Sequence, residues 1–420
     1  MVRRRRGGRV VLRCAALLAS AAFLAFVGAL AAQAQQRQVG DIAVFARVGP
    51  PGHPDALAIA DDGSVWVGSN GGAQNTPAPS VLTHLSPTGR LLGEITIAGQ
   101  NVGRDHGLLG IALDDRGALY VVDRAPARIL RVDPVTTRQS TYAEIPDLPT
   151  CGAPPCEPGP NQVPWPNGAA FAADGALYVA DFAQATIFRV PRGGGVAQVW
   201  LQDERYISPF GINSLAVDAA GRLLFTTTLE VLPRPTGGAA RGGLRRVTVA
   251  PDGSAGSVED LWTAKPGEGP DGLAVAASGD VYVTTLITNQ VVALTADGTE
   301  TARFPADPVG NLALEVPLDN PASIRFAGTR LLITNLSFFR SDPASYAVLD
   351  LEVGQPGLAL RRPSTARAAQ PARPRPAAAA APAPRPPAPG PLPATGARWT
   401  LTVGALLTAL AAAALRRTVS

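Results

Sequence analysis

The segment LGIALDDRGALYVV, residues Leu109–Val122, carries the pattern that decides the fold: an apolar strand, a turn at Gly117 and a second apolar strand. Alternating side chains, with β-branched and aromatic residues after the turn, are typical of a β-hairpin. The same pattern occurs five more times, so we predict six similar hairpins. The further copies are Leu57–Val67, Gly168–Val179, Leu215–Phe225, Leu273–Val283 and Ser323–Ile333.

The hairpins recur at a regular spacing. Their turn glycines lie 46 to 58 residues apart, and two weaker strand patterns follow each hairpin. A period of about 50 residues with four strands per unit is the signature of a β-propeller. We therefore predict an all-β fold, a six-bladed β-propeller with four antiparallel strands per blade. The turn glycines are Gly63, Gly117, Gly175, Gly221, Gly279 and Gly328.

The last repeat has one strand too few. It shows strand patterns at 323–326, 330–335 and 346–353, whereas a spare strand pattern, Ile42–Val48, precedes the first repeat. An open blade would leave unpaired backbone groups at a sheet edge. We therefore expect the N-terminal strand to complete the last blade and close the ring.

Composition limits the partners. The 420 residues include 37 Lys and Arg against 33 Asp and Glu, but fifteen of the arginines lie outside the repeats. The repeat region alone has a net charge of −11, which argues against nucleic acid as a partner. The only lysine, Lys265, precedes Pro266, so a phosphate-binding P-loop is excluded. Neither G-x-S-x-G nor H-E-x-x-H occurs, so the common signatures of serine hydrolases and of zinc proteases are absent from the sequence.

The N-terminus predicts export. An arginine-rich start is followed by an apolar stretch, residues 14–32, and by the small residues Ala32 and Ala34. This order is typical of a secretory signal peptide over residues 1–34, cut between Ala34 and Gln35. A retained N-terminal anchor is the alternative. The propeller is expected over residues 35–360.

Residues 361–391 contain ten prolines, six arginines and no acid. Such a segment cannot pack a core, so we predict a disordered, extended stalk. Residues 392–420 begin with Leu-Pro-Ala-Thr-Gly and continue with an apolar segment, 399–415, and two arginines.

This C-terminal order resembles the sortase sorting signal of Gram-positive surface proteins. The resemblance implies cleavage between Thr395 and Gly396 and attachment of the chain to the cell wall. The expected partners are then a sortase and a cell-wall precursor, and the expected location is extracellular, at the cell surface. A plain C-terminal membrane anchor is the alternative, and in both cases only segment 399–415 meets the membrane.

Two cysteines remain after signal cleavage. Cys151 and Cys156 lie five positions apart in a proline-rich loop between the second and third repeats. A close pair in an exported protein predicts a disulfide, which would act locally on this loop.

Polar residues lie eight positions before five of the six turn glycines. These positions begin the inner strands, whose starts converge on the axis of a propeller. Oxygen ligands of this kind suit a hard divalent cation such as Ca²⁺. The alternative is that Asp and Asn are favoured where a loop turns into a strand. The six positions are Asp55, Leu109, Asn167, Asn213, Asp271 and Asn320.

Three segments resemble the senescence-marker-protein/gluconolactonase family, which includes luciferin-regenerating enzymes: Trp165–Gly168, Asp174–Asp181 and Gly269–Val275. Related squid-type phosphotriesterases share this pattern. NHL-type repeats share part of the pattern. The resemblance covers about residues 40–355 and implies a six-bladed propeller with a central Ca²⁺. Carried over by position, the ligands are Asp55, Asn167, Asn213 and Asp271, and Leu109 matches a second blade without a ligand. The family acid in the first blade is Glu, one methylene longer than Asp55.

The same resemblance implies hydrolysis of a lactone or ester, with Asp271 as general base or nucleophile. His53 and His106 precede inner strands, and His106 is the candidate for a proton relay. Ordinary surface histidines are the alternative for both. His84 is expected on a later strand, away from the axis.

Two other functions stay open. Residues His106–Leu113 resemble a motif of quinoprotein sugar dehydrogenases, which are also six-bladed. The stalk and the wall signal favour a non-catalytic propeller that binds an unknown small ligand at the cell surface. The sequence does not identify the substrate or ligand.

Overall fold

The computed structural model describes residues 37–71, 77–148, 163–208, 210–230 and 241–363. The chain enters through β1 (Ile42–Arg47) and then builds six antiparallel sheets. Blade one is β2 (Pro54–Ile59), β3 (Val65–Ser69), β4 (Val81–Leu85) and β5 (Leu91–Thr96). Blade two is β6 (Leu108–Leu113), β7 (Leu119–Asp123), β8 (Arg128–Val132) and β9 (Gln139–Glu144).

Blade three is β10 (Pro166–Phe171), β11 (Leu177–Asp181), β12 (Thr186–Val190) and β14 (Gln198–Gln202), with β13 (Gly195–Val196) pairing in parallel with β9. Blade four is β15 (Ile212–Val217), β16 (Leu223–Glu230), β17 (Arg241–Val249) and β18 (Ala255–Thr263). Blade five is β19 (Pro270–Val275), β20 (Val281–Thr285), β21 (Gln290–Leu294) and β22 (Glu300–Phe304). Blade six is β23 (Pro321–Ala327), β24 (Arg330–Asn335), β25 (Ala347–Glu352) and β1.

The helices are short and lie between strands. The helix α1 (Pro308–Leu312) follows blade five, and single 3₁₀ turns occupy Glu204–Tyr206 and Pro343–Ser345. The fold is therefore the all-β, six-bladed propeller that the repeats predict.

The N-terminal strand closes the ring as predicted. β1 pairs antiparallel with β25, from Ile42 opposite Leu351 to Arg47 opposite Ala347. The first strand of every blade contacts the first strand of its neighbours, including blade six against blade one. The closed ring leaves the innermost strands around a central axis.

The predicted turns are confirmed. All six turn glycines have positive φ, between 66° and 95°, a region that side chains with a Cβ avoid. The hydrophobic core lies between blades rather than within them. Six buried clusters each join residues of two neighbouring blades, and the largest fully buried side chains include Tyr120, Tyr178 and Phe225.

Candidate functional site

The predicted cation ligands are brought together. Each is the second residue of an inner strand, and with Leu109 they line one cavity of about 50 Å³ at the axial end where the inner strands begin. Their role as ligands stays a prediction. The four residues are Asp55, Asn167, Asn213 and Asp271.

The sixth position of this ring was assigned wrongly. Pro321 pairs with Asn335 as Pro270 pairs with Thr285, so the equivalent of Asp271 is Ala322 and not Asn320. Counting from the glycine fails because two residues, rather than five, separate the strands of the sixth hairpin, and its glycine is the first of the two. The Asn320 side chain instead donates to the Leu286 carbonyl (2.8 Å).

Threonine side chains of the neighbouring blades form hydrogen bonds with the backbones of Asp55 and Asp271. The Thr334 hydroxyl of β24 donates to the Asp55 backbone carbonyl (2.7 Å), and Thr226 of β16 does the same for Asp271. Thr284 of β20 donates in the same way to Ala322 (2.7 Å). The backbones of Asp55 and Asp271 are therefore each fixed by a threonine of the preceding blade in the ring.

Close packing of the inner strands explains why glycine follows the predicted ligands Asn167 and Asp271. A Cβ on Gly272 would lie 2.2 Å from the Ala322 carbonyl oxygen, and one on Gly168 would lie 2.7 Å from the Asn213 carbonyl oxygen. Only glycine permits this approach of backbone to backbone. The Asp-Gly and Asn-Gly pairs that suggest the family thus have a packing cause.

The two carboxyl groups perturb each other. Asp55 is 7% exposed, and both burial and the nearby Asp271 charge raise its pKa well above the usual range. Burial also raises the pKa of Asp271 to about 7, opposed by a hydrogen bond with the Asn213 side chain. The Asn70 amide donates to Asp55 Oδ2 (2.8 Å) and favours its charged form. Two mutually repelling carboxylates in one cavity favour a proton or a cation between them.

One further oxygen faces this region without a partner. Asn213 is 1% exposed and its amide nitrogen donates to Thr228 Oγ1 (2.9 Å), whereas its Oδ1 has no hydrogen-bond partner among the described residues. A buried amide oxygen without a donor suits a metal ion. The donor set therefore fits a hard cation, although the described residues contain no cluster of three or more His, Cys, Asp or Glu side chains arranged for a metal.

A buried arginine lies at the second blade. The Arg124 Cζ lies 3.3 Å from the centre of the Trp165 ring, and Nη2 pairs with Asp105 Oδ2 (2.9 Å). Burial lowers the pKa of Arg124 to about 10, so it keeps its charge at neutral pH. That charge opposes the rise in the Asp55 pKa.

Sequence reasoning missed most of the cavity wall. Six residues hold equivalent positions, each directly after the second-strand residue that pairs with the first residue of the inner strand. Five of them line the cavity together with aromatic residues of the loops. Their recurrence once in every repeat is a pattern that the sequence contains. The six are Asn70, Arg124, Phe182, Thr228, Leu286 and Leu336. The additional apolar wall residues are Trp165, Phe210, Ile287, Phe338 and Phe339.

The histidines lie outside the cavity lining. His106 is fully buried and its ring nitrogens face the Arg104 and Ala78 carbonyl oxygens, each at 3.0 Å. His53 is 2% exposed and contacts the Tyr346 hydroxyl (2.7 Å). The alternative of surface histidines is therefore wrong for both, and the relay role of His106 stays a prediction. His84 lies on β4, away from the axis as expected, and its ring stacks on Trp66 of β3.

Several predicted features lie outside the described residues. They are the signal cleavage site at Ala34 and Gln35, the Cys151–Cys156 pair, the Thr395–Gly396 bond and segment 399–415. Within the described ranges, no helix has the length and apolar character needed to cross a membrane.

Comparisons with solved structures show the same fold. The chain is similar to a putative gluconolactonase (TM-score 0.52, 18% identity, 76% of this chain and 94% of that one). It is also similar to a PQQ-bound aldose sugar dehydrogenase from Streptomyces coelicolor (TM-score 0.51, 18% identity, 74% of this chain and 98% of that one). A third similar structure is regucalcin, a calcium-binding protein from Agrobacterium tumefaciens (TM-score 0.50, 18% identity, 76% of this chain and 98% of that one). No family model and no curated protein matches the chain. At these identities the likeness establishes the six-bladed propeller alone.

Proposed function

We propose that the protein is a Ca²⁺-dependent hydrolase of a lactone or ester. The observation that carries the proposal is the convergence of two mutually repelling carboxylates and an unpartnered amide oxygen, Asn213 Oδ1, on one axial cavity. Two of the similar structures, a putative gluconolactonase and a calcium-binding protein, agree with this proposal.

The chain's own residues would divide the work as follows. Asp55, Asn167, Asn213 and Asp271 would hold the cation, which polarises a carbonyl group when bound. Asp271 would accept a proton from the attacking water. Thr226 and Thr334 keep the two acids in position through their backbone carbonyls.

The walls indicate the kind of ester. About 50 Å³ admits only a few atoms, at roughly 10–15 Å³ per water-sized group, so the reacting group alone enters the cavity. The remainder of the substrate would rest on the partly exposed rings of Phe210, Phe338 and Phe339, which are apolar. We therefore propose a lactone or ester with an apolar side chain rather than a sugar lactone.

We also propose that the protein acts outside the cell. The support is in the sequence: the N-terminal segment resembles a signal peptide, and residues 392–420 resemble a sortase signal. A sortase and a cell-wall precursor are the partners in this proposal.

A lactone panel tests the activity. Alkyl-substituted lactones and gluconolactone are offered to the protein with Ca²⁺ or with a chelator. We expect turnover of the alkyl lactones with Ca²⁺ only, and a loss of at least 100-fold in Asp271→Asn, because this removes the base and one of two negative charges in the cavity. Asp280→Asn is the matched control, since Asp280 bonds Gln355 and lies outside the cavity lining.

The outcomes separate the candidate functions. Ca²⁺-dependent thermal stabilisation without turnover of any lactone would make the ion structural. If neither stabilisation nor turnover is found, the hydrolase proposal fails and a ligand-binding propeller replaces it.

A further inference from the structure

A second cavity lies at the opposite end of the axis. It has a volume of about 90 Å³ and is lined by the middle and end of every inner strand, whereas the candidate site is lined by their beginnings. Most of the lining is aliphatic, its charged residues are Arg325, Arg361 and Arg362, and no Asp or Glu side chain belongs to it.

The wall contains a ring of equivalent positions. Each member is the fifth residue of its inner strand, so the strand starts identify the six equivalent positions. Five blades place alanine there, and the sixth places an arginine. The ring is Ala58, Ala112, Ala170, Ala216, Ala274 and Arg325.

The C-terminal strap, residues 354–363, closes this end. Leu358 donates its backbone N–H to the Val275 carbonyl (2.9 Å), and Arg362 donates to the Ile59 carbonyl (2.7 Å). The strap also packs closely on blade six, because a Cβ on Gly357 would lie 2.2 Å from the Phe326 side chain. The cavity is thus bounded by the strands and by the strap.

Arg325 brings a charge into this apolar space. Its Nη1 donates to the Ile324 carbonyl (2.8 Å) and lies 3.4 Å from the Leu273 carbonyl. Among the described residues, no carboxylate forms an ion pair with it. Burial lowers the pKa of Arg325 to about 10, so the guanidinium stays charged at neutral pH. Arg325 is half-buried, and a partly desolvated charge without a counter-ion is stabilised when an anion joins it.

We infer that this second cavity binds a short-chain carboxylate. A guanidinium presents paired donors that match a carboxylate, and the alanine ring and strap offer an apolar wall for the attached chain. The volume of 90 Å³ corresponds to roughly six to nine water-sized groups, the size of butyrate to hexanoate. A cation is excluded by the absence of carboxylates from the lining, and an inorganic anion would leave the apolar wall unused.

Calorimetry and thermal melting of the full chain test this inference. Butyrate and hexanoate are compared with hexanol, which lacks the charge, and with inorganic phosphate, which lacks the chain. We expect hexanoate to bind at least 10-fold more tightly than hexanol or phosphate and to raise the melting temperature.

Two variants and a control locate the binding. Arg325→Met keeps most of the side-chain volume and removes the charge, so hexanoate affinity should fall at least 10-fold. Ala170→Leu fills the cavity from another blade and should have the same effect with Arg325 intact. Arg90→Met, at an exposed arginine, should leave the affinity unchanged. If the unmodified protein binds hexanoate no better than hexanol, or if Arg325→Met and Ala170→Leu both bind it normally, the inference is wrong.

Discussion

At the scale of single residues, Asp55 and Asp271 determine how the metal-free protein responds to pH. A carboxyl whose folded pKa exceeds its unfolded pKa binds protons more tightly when folded. Stability from such a group is present at low pH and is lost as pH rises through the folded value. For Asp271 the window runs from about 4, the ordinary value, to about 7.

We therefore expect the free energy of unfolding of the metal-free protein to fall between pH 4 and 7, by at most about 4 kcal/mol for a shift of three units. Asp271→Asn should flatten this fall, and saturating Ca²⁺ should do the same for the unmodified protein. Urea unfolding at several pH values, with and without a chelator, measures both effects. An identical pH profile for the unmodified protein and the variant would contradict the assigned burial of Asp271.

A second prediction concerns the threonines between blades. Thr334→Val removes the hydroxyl that holds the Asp55 carbonyl and should cost about 1 kcal/mol, the usual value of one hydrogen bond. It should also weaken Ca²⁺ binding, because Asp55 loses its fixed backbone. Thr186→Val is the control: it breaks a buried hydroxyl-to-carbonyl hydrogen bond, from Thr186 to Gln184 (2.7 Å), outside the cavity lining. Isothermal titration should show weakened Ca²⁺ binding only in Thr334→Val, and equal losses in both variants would contradict a positioning role.

The sequence predicted the acids but not the residues that hold them. Asp55 and Asp271 recur at a fixed distance from a turn glycine, so a repeat period finds them. Thr226 and Thr334 act across blades on backbone atoms, and a contact of that kind has no local sequence pattern. Asn320 shows the converse error, because one altered turn moved the count by two positions.

At the scale of strands and blades, the alternation of side chains predicted each hairpin and the closing strand. β1 supplies the outer strand of blade six, and its residues Ile42 and Val44 pack on the core between blades five and six. Arg37 adds an ion pair with the buried carboxylate of Asp350 (2.6 Å). The short parallel strand β13 was not foreseen, since its two residues form no periodic pattern.

Deleting residues 35–48 should therefore leave β25 as an open edge and abolish the single cooperative melting transition. Differential scanning calorimetry measures this, and a chain ending at Pro363 with β1 intact serves as the control. A peptide of residues 37–48 added to the shortened protein should restore part of the transition by strand addition. If the shortened chain melts like the control, the ring does not depend on β1.

At the scale of the whole molecule, the two ends of the axis have different linings. The candidate site opens where the inner strands begin, and the strap covers the end where they finish. The last described residue, Pro363, accepts a hydrogen bond from the Asp115 backbone (3.3 Å). Pro363 therefore lies on the face opposite the candidate site.

The resemblance of residues 392–420 to a sortase sorting signal predicts how the protein is attached to the cell. Thr395 should be joined to peptidoglycan, so digestion of the wall should release the protein and detergent alone should not. Thr395→Ala should prevent the covalent bond, because the acyl-transfer motif loses its threonine, and the protein should then be recovered in the medium or the membrane fraction. Thr365→Ala, in the proline-rich segment, is the matched control and should remain bound to the wall. Release of the unmodified protein from intact cells by detergent would contradict the sortase prediction and favour a membrane tail.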